Sequence, residues 1–402
     1  MLATRPSSAL VKNRCLFSGK SQITRNKEES KCVQPVRSQV SIADFYAGKS
    51  VFITGVTGFV GKVCVEKLLY SCKDIDKVFV LVRDKKDESV SKRIDKIIDS
   101  PVFVHVSTAY CNTHVKVLDE KVYLPPAPLD DVLKYLEEPE RNYNRISKLY
   151  RDRPNTYTYA KALAESYVMR SHGDIPTVIV RPSIVVSSSK EPIPGWSDTM
   201  QGSSALIASS WKGLNRVVLG HRHNVLDFIP VDYVSNLLIA AAANCHSSKD
   251  IAVHNCCTSS ANPLTFDMVL KFLEKKEADK SSYNLSYPRV LFTENKQLLS
   301  LLSLLLQTGP AYAADLLRRI RGKKPIYMKI QSQLSAAHDT LDYFTSHSWI
   351  FKSNSTQQLY NSLQPSDKKE FYFDSSDINW DEYFETYLDG IERFLLKPRS
   401  RN

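Results

Sequence analysis

Tyr157 and Lys161 lie four residues apart. In a helix that spacing puts both side chains on one face. A free phenol titrates at about 10. An ammonium beside it favours the phenolate, which makes such a tyrosine a usable proton donor or acceptor near neutral pH. The spacing alone means little in a chain with 20 tyrosines. Its place in the chain carries more weight. Upstream lies an apolar run ending in hydroxyls, Val102-Phe-Val-His-Val-Ser107-Thr108. Ser107 or Thr108 could hydrogen-bond the same substrate oxygen and steer it toward Tyr157. Further upstream, Gly55, Gly58 and Gly61 are spaced three apart. Together these groups point to hydride transfer at a carbonyl or carbinol carbon. Taken singly, each has a plainer reading: a core tyrosine, a surface lysine, a strand-end hydroxyl, an ordinary turn.

The elements that must position these groups are legible around them. Val51-Phe-Ile is a β-type run that meets the glycines, and Lys62–Leu69 reads as a helix directly after. Strand, glycine turn and helix is the context of a dinucleotide-binding loop. Gly55 permits the tight turn, Gly58 admits a pyrophosphate, and Gly61 lets the helix pack on the strand. The phosphates would sit on free N–H groups at the helix N-terminus. Val78–Val82 supplies the second strand of a βαβ unit, and Val102–Ser107 a third. A helix starting after Pro154 carries Tyr157 and Lys161. Val178-Ile-Val-Arg-Pro182 reads as a buried strand, and Phe228–Asp232 leads into an Ala-rich helix ending at Ala243. Arg83, just beyond the second strand and close to Lys85 and Lys86, suits the 2′-phosphate of NADPH, while Asp84 keeps NADH open.

The sequence has 402 residues, 43% hydrophobic and 24% charged, with a net charge of +11. Eight Lys/Arg and two acids lie in the first 40 residues, so the rest is only mildly basic and a nucleic-acid partner loses support. Residues 1–40 read as a disordered basic segment, with an organelle presequence as the alternative. The eight cysteines show no CxxC pair, and neither they nor the histidines form a metal constellation. His221-x-His223 reads as a solvated turn. The α/β pattern fades after about residue 262, and from Leu264 the chain reads helical. Residues 297–314 carry no charge, include a leucine-rich run, and are interrupted by Pro310; Arg318, Arg319, Arg321, Lys323 and Lys324 follow. The stretch is at the lower limit for a membrane span and reads as a buried or interface-lying helix. An apolar face beside a basic cluster suits an anionic membrane surface, and a core helix with a solvated basic end is the plainer alternative.

Read together, the motifs resemble those of the alcohol-forming fatty acyl-CoA reductases, particularly arthropod members. The resemblance is carried by Thr54-Gly-Val-Thr-Gly-Phe-Val-Gly61, Val104–Asn112, Arg153–Glu165, Val180-Arg-Pro-Ser-Ile184, Glu191-Pro-Ile-Pro-Gly-Trp196 and Ile229–Asp232. Asp339–Thr345, Ile378–Tyr383 and Leu388–Leu396 extend it through the C-terminal part. It implies an extended short-chain dehydrogenase fold, α/β with a Rossmann-like doubly wound parallel sheet over 41–262, and a helical C-terminal domain over 263–402. It implies NADPH-dependent reduction of a long-chain acyl-CoA to a primary alcohol at a cytosol-facing membrane (endoplasmic reticulum, peroxisome or lipid droplet), in wax, cuticular or ether lipid metabolism. Tyr157 would be the general acid, Lys161 would tune it and hold the ribose, and Thr108 with Ser107 would orient the oxygen. Cofactor contacts carry over onto Thr54, Gly55, Thr57, Gly58, Phe59, Val60, Gly61, Arg83, Tyr157, Lys161, Pro182 and Ser183.

The chain departs from that pattern between the second and third strands. About 18 residues separate Arg83 from the strand at 102, room for one crossover helix at 88–99, where two more strand-helix units of roughly 30 residues each are needed to reach the far side of the first strand. One crossover would extend the sheet beyond the second strand, away from Tyr157. Relative to the family, about a hundred residues are missing near 100–103, which puts the activity of this form in doubt. The alternatives are a non-catalytic lipid- or partner-binding relative and a nucleotide-sugar epimerase or dehydrogenase.

Overall fold

The computed structural model describes residues 40–81, 102–137, 153–200, 202–245, 250–278 and 290–396. In chain order the elements that matter are α1 (Ile42–Tyr46), β1 (Ser50–Thr54), α2 (Phe59–Ser71), β2 (Lys77–Leu81), β3 (Phe103–Val106), β4 (Val117–Leu118), α3 (Leu129–Glu137) and α4 (Thr156–Ser171). Then come β5 (Thr177–Pro182), β6 (Ile184–Val186), α5 (Gly202–Trp211), β7 (Val217–Leu219), β8 (Val225–Leu226), β9 (Phe228–Pro230), α6 (Val231–Asn244) and β10 (Ala252–Cys256). The remainder holds β11 (Leu264–Thr265), α7 (Phe266–Ala278), β12 (Leu291–Thr293), α8 (Lys296–Ser303), α9 (Gly309–Ile320), α10 (Tyr327–Thr345), β13 (Ile350–Phe351), α11 (Asn354–Ser362), α12 (Pro365–Glu370) and α13 (Trp380–Gly390).

The main parallel sheet comes in two pieces. β1 pairs with β2, register Ser50 to Lys77. β3, β5 and β10 form the other piece in the order β10-β5-β3. Among the described residues no strand joins β1 to β3. All six residues of β5 are buried. An apolar strand covered on both faces needs parallel partners on both edges, and β3 and β10 supply them. This corrects the expectation that a single crossover would add β3 beyond β2: β3 sits on β5, near Tyr157, and the sheet is interrupted instead. The interruption leaves its mark on the flanking strands. No residue of β1 is buried and Phe103 on β3 is 45% exposed, whereas Val178, Ile179 and Val180 are at 0%. The segment between β2 and β3, with Arg83 and the helix read at 88–99, lies outside the described residues, as does the basic segment 1–39.

Past residue 262 the chain is mainly helical, as read, and three short strands interrupt the helices. β11 pairs with β8, β12 with β7, and β13 with β4. Each is a two- or three-residue run that borrows its partner from an earlier, distant part of the chain, which local periodicity does not reveal. The described residues from Val40 onward form one compact unit. Its main core joins Val180, Ile229 and Leu237 to Phe371, Phe384 and Tyr387. α13 comes so close that a Cβ on Gly390 would stand 1.9 Å from the Gly195 carbonyl oxygen, so only glycine fits. No described helix is long and apolar enough to cross a membrane.

Candidate active site

Thr54 ends β1, and Gly55 turns the chain with φ of +72°. Gly58 N donates to Gly55 O (2.9 Å) and caps α2 without any side-chain hydrogen bond. A Cβ on Gly61 would meet Gly55 O at 2.3 Å, so the first turn of α2 rests directly on the loop backbone. The loop is exposed at Thr54, Gly55, Thr57 and Gly58. Free N–H groups at an uncapped helix start are a ready anion site, and this loop fits the pyrophosphate end of a dinucleotide. Phe59 and Val60 open the helix, and the Phe59 ring lies 5.5 Å from that of Trp196. Lys67, buried, lies 2.9 Å from Glu191 and 3.1 Å from Glu370. Lys62 pairs with Asp198. These contacts fasten the nucleotide-loop helix to the 188–198 loop. Asp232, buried at the start of α6, accepts from the N–H groups of Ser189 (2.9 Å), Lys190 (2.8 Å) and Glu191 (3.2 Å) and fixes that loop.

The second half of the site is at the end of β3. Thr108 follows the strand, and its Oγ1 donates to Pro182 O (3.4 Å) at the end of β5. α4 starts where the Asn155 side chain accepts from Thr158 N (2.9 Å), a conventional N-cap. That start places Tyr157 in the first turn, half exposed, on the side of the Thr108 hydroxyl. Lys161 Nζ is 6.0 Å from the Tyr157 ring centroid. The structure thus brings Thr108, Tyr157 and Lys161 together. Ser107 is buried, and its hydroxyl has no hydrogen-bond partner among the described residues. Ser183 is also buried; its N–H donates to Cys256 O (3.1 Å), and its hydroxyl has no hydrogen-bond partner among the described residues.

One electrostatic expectation is corrected. Partial burial pushes the Tyr157 phenol up, the Thr108 hydroxyl pulls against it, and Lys161 is not among the groups that move it. The reason is where the ammonium goes. Phe103 N donates to Pro176 O just before β5, and Ser107 N to Val180 O on β5, so the intervening Val104 and Val106 turn their backbone groups to the opposite edge. Lys161 Nζ donates to Val106 O there, at 2.8 Å. The lysine occupies a carbonyl on the edge of β3 that faces away from β5. Burial draws the Lys161 ammonium below its ordinary range, with Glu165 and Cys111 pulling the other way.

Glu165, one turn beyond Lys161, escaped the sequence reading. It is buried and grips the fully buried Arg181 through Nε to Oε1 (2.8 Å) and Nη2 to Oε2 (2.7 Å). Arg181 also donates to the carbonyls of Asp119 (3.3 Å) and Lys121 (2.8 Å). Burial opposes its charge, but the Glu165 carboxylate outweighs burial and the net shift is upward. The pair locks α4 to β5 and so sets where Tyr157 stands. The period-four series Tyr157, Lys161, Glu165 was the available signal. His221 pairs with Glu294 (3.2 Å) on the surface, as its solvated-turn reading anticipated, and the described residues hold no cluster fit for a metal.

Comparison with known proteins follows the same lines. Two family models described as male sterility protein match, a NAD-binding one at 53–103 and 96–238 and a second at 306–398. The first match is in two pieces that meet at the short connection between β2 and β3. Fatty acyl-CoA reductase 1 of Rattus norvegicus is 33% identical over 446 residues, covering 89% of this chain and 86% of that protein. The Homo sapiens protein of the same name is 32% identical with the same coverage. That alignment is longer than this chain of 402 residues. Among solved structures, the terminal R domain from the myxalamid PKS-NRPS biosynthetic pathway aligns with a TM-score of 0.54 and 16% identity, over 88% of this chain and 93% of that one. That likeness supports the extended Rossmann-like fold.

Proposed function

We propose, for a chain that belongs to the fatty acyl-CoA reductase family, that the reductant is NADPH and the product a primary fatty alcohol. The observation that carries this reading is the convergence of Thr108, Tyr157 and Lys161 at the end of β3. Two NADPH, bound in turn, would supply the two hydrides that carry the acyl group through the aldehyde to the alcohol, with CoA leaving as the thiol. The residues do the rest. The glycine loop and the start of α2 bind the pyrophosphate. Thr108 holds the substrate carbonyl oxygen beside Tyr157. Because burial raises the phenol, Tyr157 is protonated across the neutral range and donates its proton to the developing oxyanion. Lys161 stands 6.0 Å from the ring with its ammonium on Val106 O, and from there it holds the ribose. The preference for NADPH over NADH rests on Arg83, with Lys85 and Lys86 nearby. The split family match and the length of the relatives' alignments support the reading that an internal segment is missing near 100–103.

The interrupted sheet favours a second reading, a lipid- or partner-binding relative with weak cofactor affinity. Titration of NADPH and NADH into the purified chain, followed by nicotinamide fluorescence, separates the two. Micromolar binding that prefers NADPH supports the reductase. No binding by a folded chain supports the second reading.

A further inference from the structure

A helix on a soluble surface turns its apolar side inward. The stretch from Lys296 to Ile320 does the opposite. α8, a π-turn at Leu304–Thr308 and α9 run on without a break, and the π-turn stands directly before Pro310, where a continuous helix loses one backbone N–H. At about 1.5 Å per residue the run is about 37 Å long. Its buried positions are polar or small. The Gln307 carbonyl oxygen accepts from Arg216 N (2.7 Å) and Val217 N (3.3 Å) at the start of β7. Ala311 is buried one turn on. Asp315 is buried after that and accepts from Ile326 N (2.8 Å), Tyr327 N (3.1 Å) and Met328 N (2.8 Å) at the start of α10. The outward positions Leu301, Leu305, Tyr312, Leu316 and Ile320 follow one another at helical spacing, and each is about half exposed or more.

This inversion excludes the core-helix reading, since the leucines face out and hydrogen-bonding groups hold the helix from within. An exposed apolar stripe of this length marks a docking face. Charge decides what covers it. No charged residue occurs from Gln297 to Ala314. Arg318, Arg319, Arg321, Lys323 and Lys324 close the stripe, and no acid follows Asp315 until Asp339. A second copy would bring the same cations with no acid on this stretch to neutralise them. An anionic lipid surface offers acyl chains to the leucines and phosphates to the cations together. No described helix can span a bilayer, and the inner face is tied to β7 and α10, so the stretch lies flat. We propose that the face formed by Leu301, Leu305, Tyr312, Leu316 and Ile320, with its flanking cations, docks this protein on anionic membrane surfaces. The inference stands apart from the reductase reading, because no active-site residue enters it.

The test is co-sedimentation of the full chain with phosphatidylcholine vesicles, with and without phosphatidylserine, in the absence of nucleotide and acyl-CoA. The expected result is salt-sensitive binding that requires phosphatidylserine. Arg319→Gln and Arg321→Gln should each weaken it about five-fold. The double variant Leu305→Asp/Leu316→Asp should abolish it while melting as the parent does, since both side chains are already about half exposed. Binding that survives the double variant, binding indifferent to phosphatidylserine, or a dimer that the double variant dissociates without any vesicle binding would each overturn the proposal.

Discussion

The hydroxyl of Tyr157 and the carboxylate of Glu165 do separate jobs from one face of α4. Tyr157→Phe removes the proton donor and leaves the ring packed. It should lower acyl-CoA reduction by about 10²- to 10⁴-fold and leave nucleotide affinity unchanged, read by steady-state rates beside a binding titration. Glu165→Ala leaves the Arg181 charge buried without its partner. That should cost about 3–5 kcal/mol of unfolding free energy in a urea titration. His254 gives a pH signature. It is buried on β10, and burial draws its pKa down to about 4. A histidine depressed in the native state contributes stability above its unfolded pKa of about 6.5 and loses it as pH falls toward the folded value. The native chain should therefore lose up to about 3 kcal/mol between pH 6.5 and 4, and His254→Leu should flatten that part of the profile. At this scale the sequence was informative for Tyr157, Lys161 and Thr108, whose types state their chemistry. It was silent on Arg181, because a buried ion pair is defined by two elements far apart in the chain.

At the scale of elements, the glycine turn was legible in full, because its residues serve only local geometry. Gly61→Ala puts a methyl group where Gly55 O already stands. The loop must open, and nucleotide affinity should fall by at least about ten-fold, with α2 itself retained by circular dichroism. The short strands β11 to β13 were not legible, since two or three residues carry no periodicity and their partners come from elsewhere. The leucine-rich stretch was ambiguous for a different reason. Composition says that a face is apolar, but not whether it turns in or out; Gln307 and Asp315 decide that through partners on β7 and α10.

For the whole molecule, one number in the sequence anticipated the main architectural fact. The short connection between β2 and β3 cannot build the strands that the fold requires between them, and the sheet is interrupted between β1 and β3. The side on which β3 would lie was not legible, because it depends on β5 needing two partners. The proposed acid, Tyr157 on α4, therefore stands beside one piece of the sheet and the proposed pyrophosphate loop on the other, held together through α2, α6 and the 188–198 loop. The most direct measurement is acyl-CoA-dependent oxidation of NADPH by the purified 402-residue chain, run beside Tyr157→Phe. The account predicts turnover to the alcohol that the substitution removes. A folded chain that oxidises NADPH no faster with acyl-CoA than without it, or a Tyr157→Phe variant as fast as its parent, would contradict it.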